Sequence, residues 1–217
     1  MNLFVNETIG SVKAILNESK DPQYSLVLAH GAGAGMDHPF LSKLAELLSE
    51  KAHVLRFNFP YMDAGKKVPG SPKVSQETLN AAYNRLQKLY PTLPCFLSGK
   101  SYGGRMASHL VAEENLKTAG LIYFGFPLHA PGKEGIKRGD HLSGLEVPQL
   151  FLQGVNDKLA KIELIRQLTK SIQKAELLEI KHADHSFKIP KKEGGNMEKT
   201  LQKLAQHTQK WCLNTLE

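Results

Sequence analysis

The sequence has few of the residues and patterns that mark secreted, metal-binding or membrane-spanning proteins. Its 217 residues include only two cysteines, Cys95 and Cys212, which lie far apart and form no C-x-x-C arrangement. Neither a disulfide framework nor a cysteine-based metal site is expected, and free thiols fit a reducing, cytoplasmic location. No apolar run approaches the roughly 20 residues of a membrane span. The first ten residues lack the basic start and apolar stretch of a secretion signal.

Long runs of one charge sign are also absent, although 28 Lys and Arg outnumber 21 Asp and Glu. A net charge of +7 can indicate a polyanionic partner, but the basic residues occur at most in pairs and do not alternate with aromatic residues. We interpret them as a solvated surface and expect neither a nucleic-acid nor a membrane partner. The length suits a single α/β domain over residues 1–217, and leaves the oligomeric state open.

Apolar runs of strand length alternate with segments of helical periodicity along the whole chain. Strands are predicted at 8–16 (as an edge strand), 24–29, 53–59, 93–97, 120–126, 148–153 and 176–180. Helices are predicted after a cap at Asp37, from Ser75, after Gly103, from Leu159 to Ile172, and from Met197 onwards. This alternation predicts an α/β fold with a mainly parallel sheet and helices on both faces.

The segment 99–103 reads Gly-Lys-Ser-Tyr-Gly and lies between a predicted strand and a predicted helix. This is the G-x-S-x-G pattern, in which a sharp turn exposes a serine and brings strand and helix so close that Gly99 and Gly103 must lack side chains. A phosphate-binding loop is a weaker alternative, because it requires a glycine at position 94, where this chain has proline. The pattern predicts Ser101 as a nucleophile.

Two further residues at strand ends complete a candidate catalytic set. Asp157 and His185 follow Ser101 in the order nucleophile, acid, base, which is the order found in folds that carry the G-x-S-x-G turn. One predicted helix and one predicted strand lie between Asp157 and His185. A serine hydroxyl needs such a base, and the base needs an acid to orient it. His182 and Asp184 are alternatives on the same loop as His185. His30, His129 and His141 lie on other loops, and His30 is better interpreted as a brace for the glycine-rich turn.

The turn after the second predicted strand reads His-Gly-Ala-Gly-Ala-Gly from His30. Its density of glycine predicts a tight turn, with Gly31 and Gly33 as structural glycines. In the fold proposed, this turn lies beside Ser101. The backbone N–H groups of Ala32 and Tyr102 are therefore predicted to form an oxyanion hole.

Five segments in this order, HGAGAGMDHP, RFNFPY, GKSYGGRMAS, QGVNDKL and ADHSFKIP, resemble the α/β-hydrolase superfamily. Within it they are similar to the small, lidless predicted-hydrolase branch near the dienelactone hydrolases. That branch includes a mammalian testis-expressed protein and the hydrolase-like domain of a subunit of the nonspecific-lethal chromatin complex. The resemblance implies Ser101 as nucleophile, Asp157 as acid, His185 as base, and Ala32 with Tyr102 for the oxyanion. Dienelactone hydrolases have cysteine where this chain has Ser101, so their lactone substrate does not carry over. Ser98 stands where the branch often has another glycine.

The leading hypothesis is a serine hydrolase for a carboxylic ester or thioester, without cofactor or metal. Residues 128–147, where larger relatives insert a lid, are too few for one, so an open site for small acyl groups is expected. Eight basic residues on loops at the active edge leave an anionic substrate as one option: Lys66, Lys67, Lys133, Lys137, Arg138, Lys188, Lys191 and Lys192. The alternatives are a non-catalytic scaffold module in a larger complex, and a peptidase or acyltransferase on the same three residues.

Overall fold

The structure, a computed structural model, describes all 217 residues and contains eight strands and six α-helices. The strands are β1 Asn2–Asn6, β2 Gly10–Asn17, β3 Tyr24–Ala29, β4 Ala52–Phe57, β5 Cys95–Lys100, β6 Leu121–Phe124, β7 Gln149–Gly154 and β8 Ala175–Ile180. The helices are α1 Pro39–Leu48, α2 Pro60–Asp63, α3 Pro72–Leu89, α4 Tyr102–Glu114, α5 Ile162–Lys170 and α6 Met197–Leu216. Short 3₁₀ segments lie at Lys137–Gly144 and Lys191–Glu193.

All eight strands form one sheet in the order β1-β2-β4-β3-β5-β6-β7-β8. The six strands from β3 to β8 run parallel, whereas β2 is antiparallel to both β1 and β4. The predicted mainly parallel sheet is therefore confirmed. In a parallel sheet the loops that leave the carboxyl ends of the strands meet at one edge, which is where ligands bind in such folds.

Helices cover both faces of the sheet and divide the core into two layers. Every residue of β3 is buried. Val27 and Ala29 pack in the layer beneath α3, α4 and α5, whereas Leu26 and Leu28 pack in the layer beneath α1 and α6. This two-sided burial explains why β3 reads as a continuous apolar run rather than an alternating one. None of the helices combines the length and apolar character required to cross a bilayer.

The N-terminal strand prediction was wrong about the edge of the sheet. Residues 2–6 form an additional strand, β1, which pairs with β2 as a hairpin, so β2 lies between β1 and β4. Leu3 is buried while Phe4 remains exposed, so only one face of β1 contributes to the core. A single buried side chain is too weak a periodic signal to identify so short a strand from sequence.

Two helix starts differ from the predictions because proline occupies the first helical position. Helix α1 begins at Pro39, and the side chain of His38, not Asp37, accepts the hydrogen bond from the Phe40 N–H at 3.3 Å. Helix α3 begins at Pro72 rather than at Ser75. Proline at this position has no N–H to satisfy and already holds a helical φ, so it sets the start.

Candidate active site

Ser101 stands alone between the last residue of β5 and the first residue of α4, with φ 50° and ψ −112°. A Cβ atom at Gly103 would lie 2.6 Å from the His30 carbonyl oxygen and 2.8 Å from that of Ala29. A Cβ atom at Gly99 would overlap the backbone at the start of α4. Glycine is therefore required on both sides of Ser101. The strand continues to Lys100 without an intervening loop, which leaves no room for a phosphate-binding loop.

In the glycine-rich turn after β3, the position that requires glycine is not one of the two that were predicted, Gly31 and Gly33. A Cβ atom at Gly33 would meet nothing within 4 Å, and one at Gly31 would make only ordinary contacts, the nearest at 3.6 Å. Gly35 is the crowded position, because its Cβ atom would lie 2.8 Å from Oδ1 of Asn58. The structure thus gives no steric reason for glycine at Gly33. It assigns that reason to Gly35, which the sequence analysis did not single out.

The structure brings Ser101, His185 and Asp157 together at the carboxyl edge of the sheet. The Ser101 Oγ lies 2.9 Å from Nε2 of His185, and Nδ1 of the same ring lies 2.6 Å from Oδ2 of Asp157. The Asp157 side chain has no exposed surface, whereas that of His185 is 24% exposed. A buried carboxylate next to Nδ1 favours the tautomer with its proton on Nδ1, which leaves Nε2 free to accept the serine proton.

Asp157 is held by two donors besides His185. Its Oδ1 accepts a hydrogen bond from the Leu159 N–H at 2.7 Å, and its Oδ2 accepts one from Nε2 of Gln153 at 2.6 Å. Gln153 is fully buried, and its own oxygen accepts from the Phe126 N–H at 3.0 Å. The sequence analysis missed Gln153. The available signal was a glutamine inside an otherwise apolar strand, since a buried amide must find partners.

The alternative histidines have other partners. His30 accepts a hydrogen bond from the Phe59 N–H at 2.9 Å through Nε2 and lies 2.7 Å from the Gly31 carbonyl through Nδ1. Burial lowers the pKa of His30 to about 4, so the ring is neutral and braces the turn. His129 accepts from the Lys161 N–H, and His141 pairs with the hydroxyl of Ser108.

The other candidates on the loop of His185 shape that loop. His182 is about half exposed and lies 3.7 Å from Oε2 of Glu193. The Asp184 carboxylate accepts hydrogen bonds from the N–H groups of Ser186 and Lys188 at 2.8 and 2.9 Å. Neither residue contacts Ser101 through a hydrogen bond, so His185 and Asp157 remain the pair that the geometry favours.

The backbone around Ala32 is oriented by two side chains. The Gly31 carbonyl faces Nδ1 of His30, and the Ala32 carbonyl accepts from the Tyr61 hydroxyl at 3.0 Å. Because the Gly31–Ala32 peptide is trans, its N–H points away from the ring that holds its carbonyl. A Cβ at Gly31 would lie 3.8 Å from that of Ser101, so this peptide is next to the serine. The Ala32 N–H has no acceptor within the protein.

Ser101 and His185 open into a cavity of about 350 Å³. Phe40, Leu41 and Leu159 give it an apolar wall, and the glycine-rich turn forms another side. Residues 127–147, where larger relatives have a lid, do not line the cavity and therefore do not cover it. Lys100 also lines it, and the sequence analysis noticed that lysine only through the phosphate-loop alternative. Such a cavity can bind a small acyl group beside a nucleophile and its base.

Comparison with known proteins identifies the family of the chain. A family model described as an alpha/beta hydrolase domain matches residues 22–213, so the chain belongs to the alpha/beta hydrolase family. The predicted superfamily is thereby confirmed.

Solved structures share the fold over nearly their whole length. A dienelactone hydrolase from Anabaena variabilis is 20% identical with a TM-score of 0.79, over 99% of this chain and 95% of that one. A serine hydrolase without a lid from Xanthomonas campestris is 18% identical with a TM-score of 0.75, over 97% of this chain and 93% of that one. Est1E from Butyrivibrio proteoclasticus is 16% identical with a TM-score of 0.75, over 100% and 98%.

Proposed function

We propose that the protein is a serine hydrolase that cleaves a carboxylic ester or thioester through an acyl-serine intermediate. The single observation that carries this proposal is the unbroken chain of hydrogen bonds from Ser101 through His185 to the buried Asp157, at the mouth of a partly apolar cavity. The family and the esterase-like structural neighbours support hydrolysis as the reaction type.

In the proposed mechanism His185 removes the Ser101 proton as Oγ attacks the acyl carbon. The negative charge on the carbonyl oxygen is stabilised by the backbone N–H groups of Ala32 and Tyr102, each worth on the order of 3 kcal/mol. Protonated His185 then donates its proton to the departing oxygen or sulfur, and the acyl group stays on Ser101. A water molecule, deprotonated by His185, attacks the acyl-serine and releases the acid and free Ser101.

The size and lining of the cavity favour small acyl groups. A volume of about 350 Å³ is at the lower end of the range for ligand cavities. The absence of a covering lid leaves the leaving group exposed to water, so the alcohol or thiol portion is expected to be recognised weakly. We therefore expect short-chain esters to be better substrates than long-chain lipids.

Labelling with a fluorophosphonate probe tests the proposal directly. Wild-type protein is expected to be labelled on Ser101 and the Ser101→Ala variant to remain unlabelled, while both show the same unfolding temperature. Hydrolysis of p-nitrophenyl acetate, butyrate and octanoate, of the matching thioesters and of an anilide then separates esterase, thioesterase and peptidase activity. A folded wild-type protein that neither labels nor hydrolyses any member of the panel would favour the non-catalytic scaffold.

A further inference from the structure

The positive charge of Lys100, the last residue of β5, has no hydrogen-bond or ion-pair partner in the protein and lies over the ring of Phe187. Lys100 makes no side-chain hydrogen bond, and no carboxylate lies within 4.0 Å of its ammonium; the Arg or Lys ion pairs of this chain involve other residues. Its Nζ lies 5.5 Å from the centre of the Phe187 ring. A Cβ atom built on Gly125 would be 3.2 Å from this Nζ and 3.7 Å from Cε1 of His185, so the ammonium and the ring of the proposed base both lie close to Gly125.

Lys100 lies at the cavity beside Ser101. The residue lines that cavity, and its side chain is only partly exposed. Nζ of Lys100 is not among the fully enclosed polar side-chain atoms that lack a partner, which are the Tyr24 hydroxyl and Nε of Arg105. No aspartate or glutamate lines the cavity. The lining of the cavity therefore supplies no carboxylate that would compete with a ligand for Lys100.

The charge of Lys100 is costly for the folded protein. Burial lowers the pKa of Lys100 to about 8, against the opposite pull of Asp157 and Asp184, so the amine is still mostly protonated at pH 7. A buried charge without an ion-pair partner lowers stability, and an apolar side chain of similar volume would avoid that cost. The Phe187 ring offsets only part of this cost, whereas a negatively charged ligand would supply an ion-pair partner.

We propose that Lys100 binds a carboxylate at the far end of the acyl group, so that the substrates are short monoesters or monothioesters of dicarboxylic acids. The hydrolysis of such esters rests on the proposed function, whereas the binding of a carboxylate by Lys100 does not. Phe40, Leu41 and Leu159 form the apolar wall that a chain of methylene groups between the two carbonyl carbons would contact. The shape and charge of the cavity thus match an acyl group that is apolar along its length and anionic at its end.

Binding can be measured without catalysis in the Ser101→Ala variant. Glutarate is expected to bind this variant and to raise its unfolding temperature, whereas dimethyl glutarate, which has no charge, is not. Adding Lys100→Met is expected to weaken glutarate binding by at least tenfold, the size of a charge-assisted hydrogen bond. Adding Lys188→Met instead removes an exposed charge from the loop of His185 and is expected to leave glutarate binding unchanged.

The unfolding temperature of Lys100→Met distinguishes a ligand-binding lysine from a structural one. Loss of a structural lysine would lower that temperature. Because Lys100 has no hydrogen-bond or ion-pair partner, Lys100→Met is expected to unfold at the same temperature as wild type or higher in the absence of glutarate. If Lys100→Met unfolds at a lower temperature and glutarate binds both proteins equally, Lys100 is a packing residue and the proposal is wrong. Equal weakening by Lys100→Met and Lys188→Met would also overturn it, in favour of a diffuse surface field.

Kinetics test the same residue as a determinant of specificity. Wild-type protein is expected to hydrolyse the p-nitrophenyl monoesters of succinate, glutarate or adipate with kcat/KM at least tenfold above p-nitrophenyl butyrate. Lys100→Met is expected to lose that preference, mainly through a higher KM for the charged esters. An equal loss on charged and neutral esters would refute the proposal. Glutarate binding without any hydrolysis would support Lys100 as an anion site while rejecting the hydrolase.

Discussion

Replacement of Asp157 by asparagine tests the proposed mechanism most sharply, because the two side chains have nearly the same shape. In the wild type, Oδ2 accepts from His185 and Gln153, and Oδ1 accepts from the Leu159 N–H. An asparagine amide group at the Oδ2 position would face two donors. The opposite orientation would place the amide group against the Leu159 N–H. Gln153 cannot turn without losing its hydrogen bond from Phe126.

The least disruptive response is for His185 to change tautomer and accept from the new amide through Nδ1. Its proton then sits on Nε2 and faces Ser101, so the ring can no longer act as a base. This change costs a serine protease about 10⁴-fold in kcat, and we expect 10³- to 10⁴-fold here, or about 4–5.5 kcal/mol. The remaining donor mismatch at a fully buried site is expected to lower the free energy of unfolding by about 1–3 kcal/mol.

The assay is ester hydrolysis under saturating substrate, alongside urea unfolding of the same samples. Asp184→Asn is the matched control, because the one carboxylate oxygen that accepts from Ser186 and Lys188 can be retained by the asparagine oxygen. It is expected to change kcat by less than about threefold. If Asp157→Asn keeps more than a tenth of wild-type kcat, or if Asp184→Asn loses as much, the assignment of the orienting acid is refuted.

Two further predictions concern stability. Gly103→Ala forces a Cβ atom to within 2.6 Å of the His30 carbonyl oxygen, so the backbone must move, and we expect a loss of about 3 kcal/mol, or about 6–12 °C in unfolding temperature. Gly33→Ala meets nothing within 4 Å and is expected to change stability by less than about 0.5 kcal/mol; similar losses in both would contradict the steric argument. The neutral His30, with its pKa lowered to about 4, binds fewer protons than the unfolded chain, whose histidine titrates near 6.5. Its contribution is therefore complete above pH 6.5 and is lost as the pH falls towards 4, by about 2 kcal/mol between pH 7 and pH 5. Urea unfolding at both pH values measures this slope, which His30→Gln is expected to flatten; an unchanged slope in that variant would exclude His30 as its source.

Most of the fold could be predicted from local patterns. The run from Tyr24 to Ala29 is buried on both faces and therefore apolar throughout, which identifies a central parallel strand and its bounds. The turn at Ser101 can also be recognised in the sequence, because it requires glycine two positions before and two positions after the serine. The hairpin at the N-terminus could not be identified in this way, since β1 buries so little.

The residues that only the tertiary structure revealed are those whose roles depend on how the chain folds back or how separate segments pack. Gln153 supports Asp157 only because the end of β7 and the turn after it fold back on each other, and Gly35 is crowded only because Asn58 from the next strand–helix connection lies against it. Lys100 is ambiguous in sequence, where a lysine is normally a solvated surface residue. Its proposed role depends on the absence of an ion-paired carboxylate, which is decided by the packing between β5, β6 and the loop of His185. The sequence by itself determined which strand ends carry a hydroxyl, an imidazole and a carboxylate, because strand and turn signals are local. Their separations, and the unpartnered charge beside them, were decided by how the sheet brings those ends together.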